Sequence, residues 1–268
     1  MQGRLVPPEP GRFQSFPRAR WMDEFALARQ VPLNYIEWIC DVYGEGVNPL
    51  TGNLAELRSL QQSSGVGTFA LCADYFMDLP FVRCSQTECE EREHMLHRLI
   101  ALCPQAGMER MVLPFVDASA IQSAADQDRV VRVLKNAATL AVQHHVELHL
   151  ETALGPADFA GLLDRIPFDI VKANYDSGNS SSLGHIPAEE FAAYGQRIGS
   201  IHIKDRIKGG GTVPLGTGDA DLPSVFNEMQ RVGYRGDITL QVARSEPGNE
   251  VEWTRSNVAF VARHWPLG

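Results

Sequence analysis

The sequence predicts a (β/α)8 barrel, because short β-rich runs alternate along the chain with longer segments of helical spacing. Several runs are apolar on both faces, as expected for parallel strands that helices cover. A strand followed by a helix about every 30 residues indicates repeated βα units and a parallel sheet. Seven runs lie at 34–40, 66–72, 110–116, 146–151, 168–176, 198–205 and 237–242, and a candidate eighth lies at 1–6.

The segments between these runs have the pattern of helices. Residues 53–65 and 128–145 show helical spacing of apolar side chains, and 221–233 begins with Asp and stops at Gly, as capping preferences predict. An open, doubly wound sheet is the alternative, but no G-x-G-x-x-G motif follows any strand. We therefore expect one barrel domain over residues 1–268, a length typical of such barrels.

The composition is that of a globular protein with an acidic balance. Of 268 residues, 44% are hydrophobic and 21% charged, enough for a full core. The 24 Lys and Arg against 33 Asp and Glu give a formal charge of −9, which argues against binding nucleic acid or anionic lipid by bulk charge. Five cysteines without a C-x-x-C pair indicate free thiols, and no signal peptide or membrane span is evident. We expect a cytoplasmic protein with no nucleic-acid or membrane partner.

Polar side chains end four successive predicted strands, where barrels of this kind carry their chemistry. Charged groups inside a barrel are costly unless they are paired or bound to a cation. Two carboxylates, an imidazole and an amide oxygen from neighbouring strands would form a divalent-metal site of mixed nitrogen and oxygen ligands. The alternative is that each side chain caps a nearby loop or helix. The four residues are Glu151, Asp176, His202 and Gln241.

These residues stand in the segments LHLET, NYDSGN, IHIKD and ITLQVAR, and their order resembles that of the xylose isomerase-like barrels, in particular the sugar (phosphate) isomerase/epimerase branch. The segments MQGRLVPP, NYIEWI and PLGTGDAD are also similar to that group. The resemblance implies that the four residues bind one divalent metal ion, Mn²⁺, Co²⁺, Mg²⁺ or Zn²⁺. It also implies that the metal polarises a carbonyl and its adjacent hydroxyl, while two glutamates move protons on opposite faces of an enediolate.

The chain departs from the family pattern at three places. The family usually has Glu where this chain has Gln241, and an amide oxygen ligates a metal but accepts no proton at neutral pH. Glu151 is then the one remaining catalytic glutamate of the pair. Asn179 stands where the family often has a substrate-binding His. The first strand is also expected to be short or truncated, because the family usually has more residues before it.

Further polar residues are candidates for substrate binding around this centre. The glycine-rich stretch 202–219 is interpreted as a mobile lid that carries cations for a phosphate or carboxylate, with a flexible loop of solvated charges as the alternative. An inward Glu37 is interpreted as a partner for a sugar hydroxyl, and the alternative is a buried glutamate with internal partners. The predicted substrate-binding residues are Glu37, Asp74, Asn179, Lys204, Arg206 and Arg244.

The leading functional interpretation is a metal-dependent isomerase of a small sugar, sugar phosphate or keto-acid, with Glu151 as the base next to a carbonyl. An epimerase comes second because of Gln241, and a dehydratase on the same metal site is a close alternative. A non-catalytic sugar-binding protein also stays open because of Gln241. A DNA-repair endonuclease is disfavoured by the single clear strand-end histidine, His202, and the charge of −9. A homodimer is considered because barrels of this group commonly pair.

Overall fold

In the computed structural model, which describes residues 1–265, short parallel strands alternate with helices along the chain. The strands are β1 (Tyr35–Ile39), β2 (Gly67–Cys72), β3 (Arg110–Phe115), β4 (Glu147–Thr152), β5 (Val171–Asp176), β6 (Ile198–Ile203), β7 (Asp205–Arg206), β8 (Thr212–Val213) and β9 (Ile238–Leu240). β1 to β6 and β9 form one parallel sheet in which each strand neighbours the next, and β7 and β8 form a separate antiparallel hairpin.

The first residues of the chain lie between the two outer strands of this sheet and nearly close it into a barrel. Gln2 bridges Glu37 of β1 in parallel, and its backbone N–H donates to the carbonyl of Leu240 in β9 at 3.0 Å. The backbone N–H of Glu37 donates to the carbonyl of Met1 at 2.9 Å. The barrel prediction is therefore confirmed, while the eighth strand predicted at 1–6 is reduced to a single bridge.

The helices lie in the connections between successive strands. The predicted helix 128–145 begins earlier, at Ala124, because the side chain of Ser123 accepts a hydrogen bond from the backbone N–H of Asp126 and caps that end. Within residues 1–265, no helix combines the length and apolar character needed to cross a lipid bilayer. The helices are α1 (Asp23–Ala28), α2 (Leu54–Ser64), α3 (Tyr75–Asp78), α4 (Gln86–Leu102), α5 (Ala124–His144), α6 (Pro156–Asp164), α7 (Ser177–Leu183), α8 (Pro187–Tyr194), α9 (Leu222–Arg231) and α10 (Glu250–Ala262).

The strands β4, β5 and β6 divide their side chains between two faces, because successive residues of a strand point in opposite directions. The outer face carries apolar side chains such as Leu148, Leu150 and Ile201, which belong to one hydrophobic core together with side chains of the surrounding helices. The inner face is polar over its whole length. It carries Glu147, His149 and Glu151 on β4, Lys172, Asn174 and Asp176 on β5, and Ser200 and His202 on β6.

The predicted strand 198–205 is interrupted at its end, where the chain enters the β7–β8 hairpin. The carboxylate of Asp205 is fully buried and accepts hydrogen bonds from the backbone N–H groups of Gly216, Gly218 and Ala220 at 2.8, 2.9 and 3.0 Å. One carboxylate thus organises the glycine-rich loop that precedes α9. The residues on either side of Asp205 are held at the carboxyl end of the barrel.

Candidate metal centre and substrate cavity

Three of the four predicted metal ligands meet at the carboxyl ends of β4, β5 and β6. Nδ1 of His202 lies 3.3 Å from Oε2 of Glu151 and 3.8 Å from Oδ2 of Asp176. One potential ligand atom from each residue lies within 4.8 Å of the others, and all three residues are buried. The parallel register explains the meeting, because Asp176 and His202 are direct partners on neighbouring strands.

Two potential ligand atoms of this cluster are unpartnered in the described part of the chain. Nδ1 of His202 and Oδ2 of Asp176 are buried and have no hydrogen-bond partner within residues 1–265, which is costly unless an ion binds there. Nε2 of His202 donates to Oε2 of Glu37 at 3.1 Å, so Nδ1 is the nitrogen that would bind an ion in place of a proton. A carboxylate behind a histidine is the usual support for a metal ligand. The donor set of two carboxylates and one imidazole therefore fits a divalent cation.

The charges around His202 also favour a cation. Burial by itself would lower the pKa of His202, but the negative charge of Glu37 and the nearby carboxylates of Asp176 and Glu151 outweigh it and raise the pKa well above its usual value. Burial would raise the pKa of Asp176, yet Lys204 and His202 lower it to about 2. The cluster thus holds the ionised carboxylate of Asp176 in a buried place, where positive charge is stabilised.

The fourth predicted ligand, Gln241, lies beside this cluster but faces an ammonium group. Nζ of Lys204 donates to Oε1 of Gln241 at 2.6 Å and lies 3.6 Å from Oδ2 of Asp176. Gly178 makes room for this lysine, because a Cβ at that position would lie 2.5 Å from Cγ of Lys204. The oxygen that was predicted to bind a metal is therefore engaged by an internal cation.

Two asparagine amides hold the carboxylate of Glu151. Nδ2 of Asn179 donates to Oε1 at 2.6 Å, and Nδ2 of Asn174 donates to Oε2 at 2.9 Å. Oδ1 of Asn179 in turn accepts from Nη1 of Arg206 at 2.9 Å and from Nζ of Lys204 at 3.4 Å. Asn174 was missed by the sequence reasoning, although its position two residues before Asp176 on β5 places it on the same inner face.

A cavity of about 920 Å³ opens above this cluster. On the wall formed after β2, Oδ2 of Asp74 accepts a hydrogen bond from Nε2 of Gln14 at 2.6 Å. Burial raises the pKa of Asp74 to about 7, although this hydrogen bond acts to lower it. Gln14 is a second residue that the sequence reasoning missed, and its segment carries no motif that would have revealed it. The predicted site residues that line the cavity are Asp74, Glu151, Asn179, Lys204, Arg206 and Gln241.

Two predicted substrate-binding residues lie elsewhere. Glu37 is fully buried behind His202, which corresponds to the alternative of a buried glutamate with internal partners. Arg244 donates from Nε to the carbonyl of Phe13 and from Nη1 to the carbonyl of Val6, both at 3.0 Å. Neither Glu37 nor Arg244 is among the described residues that line the cavity. Arg244 instead fastens the segment that leads from the start of the chain to α1.

The fold and this site together define a (β/α)8 barrel with a candidate metal centre at the carboxyl ends of its strands. A model of the xylose isomerase-like TIM barrel family matches residues 25–264. The chain belongs to this family.

Individual relatives are distant. The chain is 23% identical to the probable L-ribulose-5-phosphate 3-epimerase UlaE of Mycoplasma pneumoniae, over 92% of this chain and 86% of that protein. Among solved structures, the IolI protein with a bound zinc atom is 17% identical and has a TM-score of 0.77, with 91% of this chain and 94% of that chain covered. An L-ribulose 3-epimerase is 16% identical with a TM-score of 0.76, covering 93% of this chain and 90% of that chain. The two structures show the shared fold.

Proposed function

We propose that this chain is a divalent-metal-dependent isomerase or epimerase of a small sugar, with Glu151 as the base. The observation that carries the proposal is the buried cluster of Glu151, Asp176 and His202, in which two ligand atoms lack hydrogen-bond partners within residues 1–265. The epimerase names of the relatives support a ketose as the substrate. L-Ribulose and L-ribulose 5-phosphate are the first substrates to test.

Glu151, Asp176 and His202 would hold the metal ion, with Gln241 beside it. A bound divalent ion supplies Lewis acidity, which makes the proton next to a sugar carbonyl easier to remove. Glu151 takes that proton and returns it, and the amides of Asn174 and Asn179 keep its carboxylate in place. Asp74, which also lines the cavity, would bind a sugar hydroxyl. Lys204 and Arg206 also line the cavity, where their positive charge would bind anionic groups of the substrate.

The position of Gln241 decides between reactions. An amide accepts no proton at neutral pH, so Glu151 must both remove the substrate proton and return it. A single base suits proton transfer between neighbouring carbons on one face of the enediolate. Isomerisation is therefore the first expectation and epimerisation the second. The contact between Gln241 and Lys204 also favours one other function, a sugar-binding protein without turnover, because both side chains satisfy each other.

Solvent-deuterium uptake tests this proposal. The chelator-treated protein is reloaded with Mn²⁺ and incubated with each sugar in D₂O, and carbon-bound deuterium is followed by NMR. We expect uptake by the wild type, no uptake by Glu151→Gln, and normal uptake by Glu190→Gln. Glu190 is a matched control because it is also buried but bonds to Ser180 and Tyr194. Binding of sugar without uptake in the wild type would support the non-catalytic function instead.

A further inference from the structure

A chain of hydrogen bonds runs along the inside of the barrel from the amino-terminal ends of the strands to Glu151. Oε2 of Glu147 lies 2.8 Å from Nε2 of His149, and Nδ1 of His149 lies 2.7 Å from Oγ of Ser200. Oγ of Ser200 donates to Oδ1 of Asn174 at 2.6 Å, and Nδ2 of Asn174 donates to Oε2 of Glu151 at 2.9 Å. Four consecutive contacts thus join the two ends of the barrel.

The direction of donation in this chain follows from the chemistry of its last members. Asn174 donates its NH₂ group to the carboxylate of Glu151 and presents its oxygen to Ser200. Ser200 donates its one hydroxyl proton to Oδ1 of Asn174, and its oxygen lies 2.7 Å from Nδ1 of His149. The orientations of Asn174 and Ser200 therefore follow from the need of Glu151 for a donor.

The interior is shaped to accommodate this chain. His149, Asn174 and Ser200 are 0%, 2% and 1% exposed, so water does not compete for their contacts. Gly199 leaves space for the imidazole, because a Cβ there would lie 2.5 Å from Nε2 of His149. At the far end, Glu147 also pairs with Lys172, which anchors the chain to β5. Apolar side chains would pack in this interior at least as well, so the presence of a hydrogen-bonded chain of polar side chains indicates a role in the site.

We propose that Asn174, Ser200 and His149 are positioning residues that aim the carboxylate of Glu151 at the metal and the substrate. This inference rests on the proposed function for the role of Glu151. The chain does not conduct protons, because the amide of Asn174 interrupts any relay of hydroxyl and imidazole groups. It acts by restricting the rotation of the Glu151 side chain, as outer partners do for metal ligands.

Metal affinity measures this role without a substrate. Mn²⁺ binding is measured by electron paramagnetic resonance for the wild type, Asn174→Ala, Ser200→Ala and Tyr35→Phe. Tyr35→Phe is the matched control, because it removes another buried hydrogen bond inside the barrel, the 2.6 Å contact to Thr239, which does not lead to Glu151. We expect Asn174→Ala to weaken Mn²⁺ binding by about 10- to 100-fold, Ser200→Ala to weaken it less, and the control to bind as the wild type does. Equal affinity in all four proteins would overturn the inference.

Turnover separates positioning from general loss of structure. With a sugar that the wild type converts, Ser200→Ala should lower kcat about tenfold with little change in KM, whereas Tyr35→Phe should change neither. Loss of activity in Ser200→Ala through a raised KM alone would contradict a role in aiming Glu151. Absence of deuterium uptake in the wild type would count against the proposed function and leave the metal-affinity result to decide this inference.

A third measurement needs neither metal nor substrate and covers the case in which Asn174→Ala does not fold. The side-chain amide signals of Asn174 are observed by ¹⁵N NMR in the metal-free wild type, assigned by their absence in Asn174→Asp. We expect these signals to shift in both Glu151→Gln and Ser200→Ala, and to stay in place in Tyr35→Phe. Signals that do not respond to Glu151→Gln would show that the chain does not reach Glu151.

Discussion

Nζ of Lys204 lies 2.6 Å from Oε1 of Gln241, so an internal ammonium engages the side chain at the position where the sequence resemblance predicts a second glutamate. The same nitrogen lies 3.6 Å from Oδ2 of Asp176. Lys204 and Gln241 satisfy each other's hydrogen-bonding groups, whereas a carboxylate at position 241 would carry a full negative charge. Gln241 therefore offers the site neither a charged ligand nor a proton acceptor.

Gln241→Glu should tighten Mn²⁺ binding. The new carboxylate adds one negative charge beside the candidate ligands, and we expect the dissociation constant to fall about tenfold, equivalent to about 1.4 kcal/mol. The measurement is isothermal titration of the chelator-treated protein. Gln241→Met serves as the control, because it keeps the length without an oxygen and should not bind more tightly than the wild type. Unchanged affinity in Gln241→Glu would show that position 241 does not adjoin the ion.

Glu37→Gln should weaken metal binding although Glu37 lies outside the cavity. Its carboxylate accepts from Nε2 of His202 at 3.1 Å and directs the other ring nitrogen to the cluster. Burial opposes the ionised form, but the charge of His202 and its hydrogen bond hold the pKa of Glu37 below its usual value. We expect about a 10- to 100-fold loss of Mn²⁺ affinity. Zn²⁺ affinity measured in parallel should fall in the same way, and a loss confined to sugar binding would favour the original hypothesis of substrate contact.

Glu24 should make the stability of the fold depend on pH. Its buried carboxylate accepts from the backbone N–H groups of Leu5 and Val6, and burial raises its pKa from 4.5 to about 7 despite these bonds. The raised pKa means that the folded state favours the protonated form. The stabilisation is fully present below about pH 4.5 and is lost as the pH rises to about 7.

Urea unfolding at several pH values checks this sign. Relative to Glu24→Gln, the wild type should lose about 1.4 kcal/mol of unfolding free energy per pH unit between pH 5 and 7, and nothing further above that range. The comparison with the variant removes contributions from other groups such as Asp74, whose pKa is also raised to about 7 by burial. Glu246→Gln, at an exposed position, should follow the wild-type curve. A wild type that gains stability over this range would contradict the assignment.

Arg244→Ala should loosen the segment that precedes α1. Two backbone carbonyls, those of Val6 and Phe13, lose a charged donor, and each such bond contributes about 1.5–3 kcal/mol. We expect trypsin to cleave after the exposed Arg12 about tenfold faster than in the wild type. Arg255→Ala is a suitable control, since Arg255 bonds to the carbonyl of Gln30 away from this segment. Equal cleavage rates would leave Arg244 available for the substrate role predicted from the sequence.

The sequence predicted the barrel and the three clustered candidate ligands for the same reason. Both depend on local patterns, namely the alternation of strands with helices and the period of two within each strand. Once strands are parallel and in order, the residues that end them share one edge of the sheet, so Glu151, Asp176 and His202 could be grouped before any contact was known. Asn174 followed the same period and was overlooked because an asparagine inside a strand carries no motif.

The sequence by itself therefore determined the fold and the chemical groups at the strand ends. Only the tertiary structure decided which partner each group has: Glu37 behind His202, Lys204 against Gln241, and Arg244 on the segment that leads into α1. Glu37 and His202 are 165 positions apart, and their contact depends on how far the barrel closes and which rotamer each side chain adopts. These are properties of the packed barrel as a whole, which no local pattern of residues encodes.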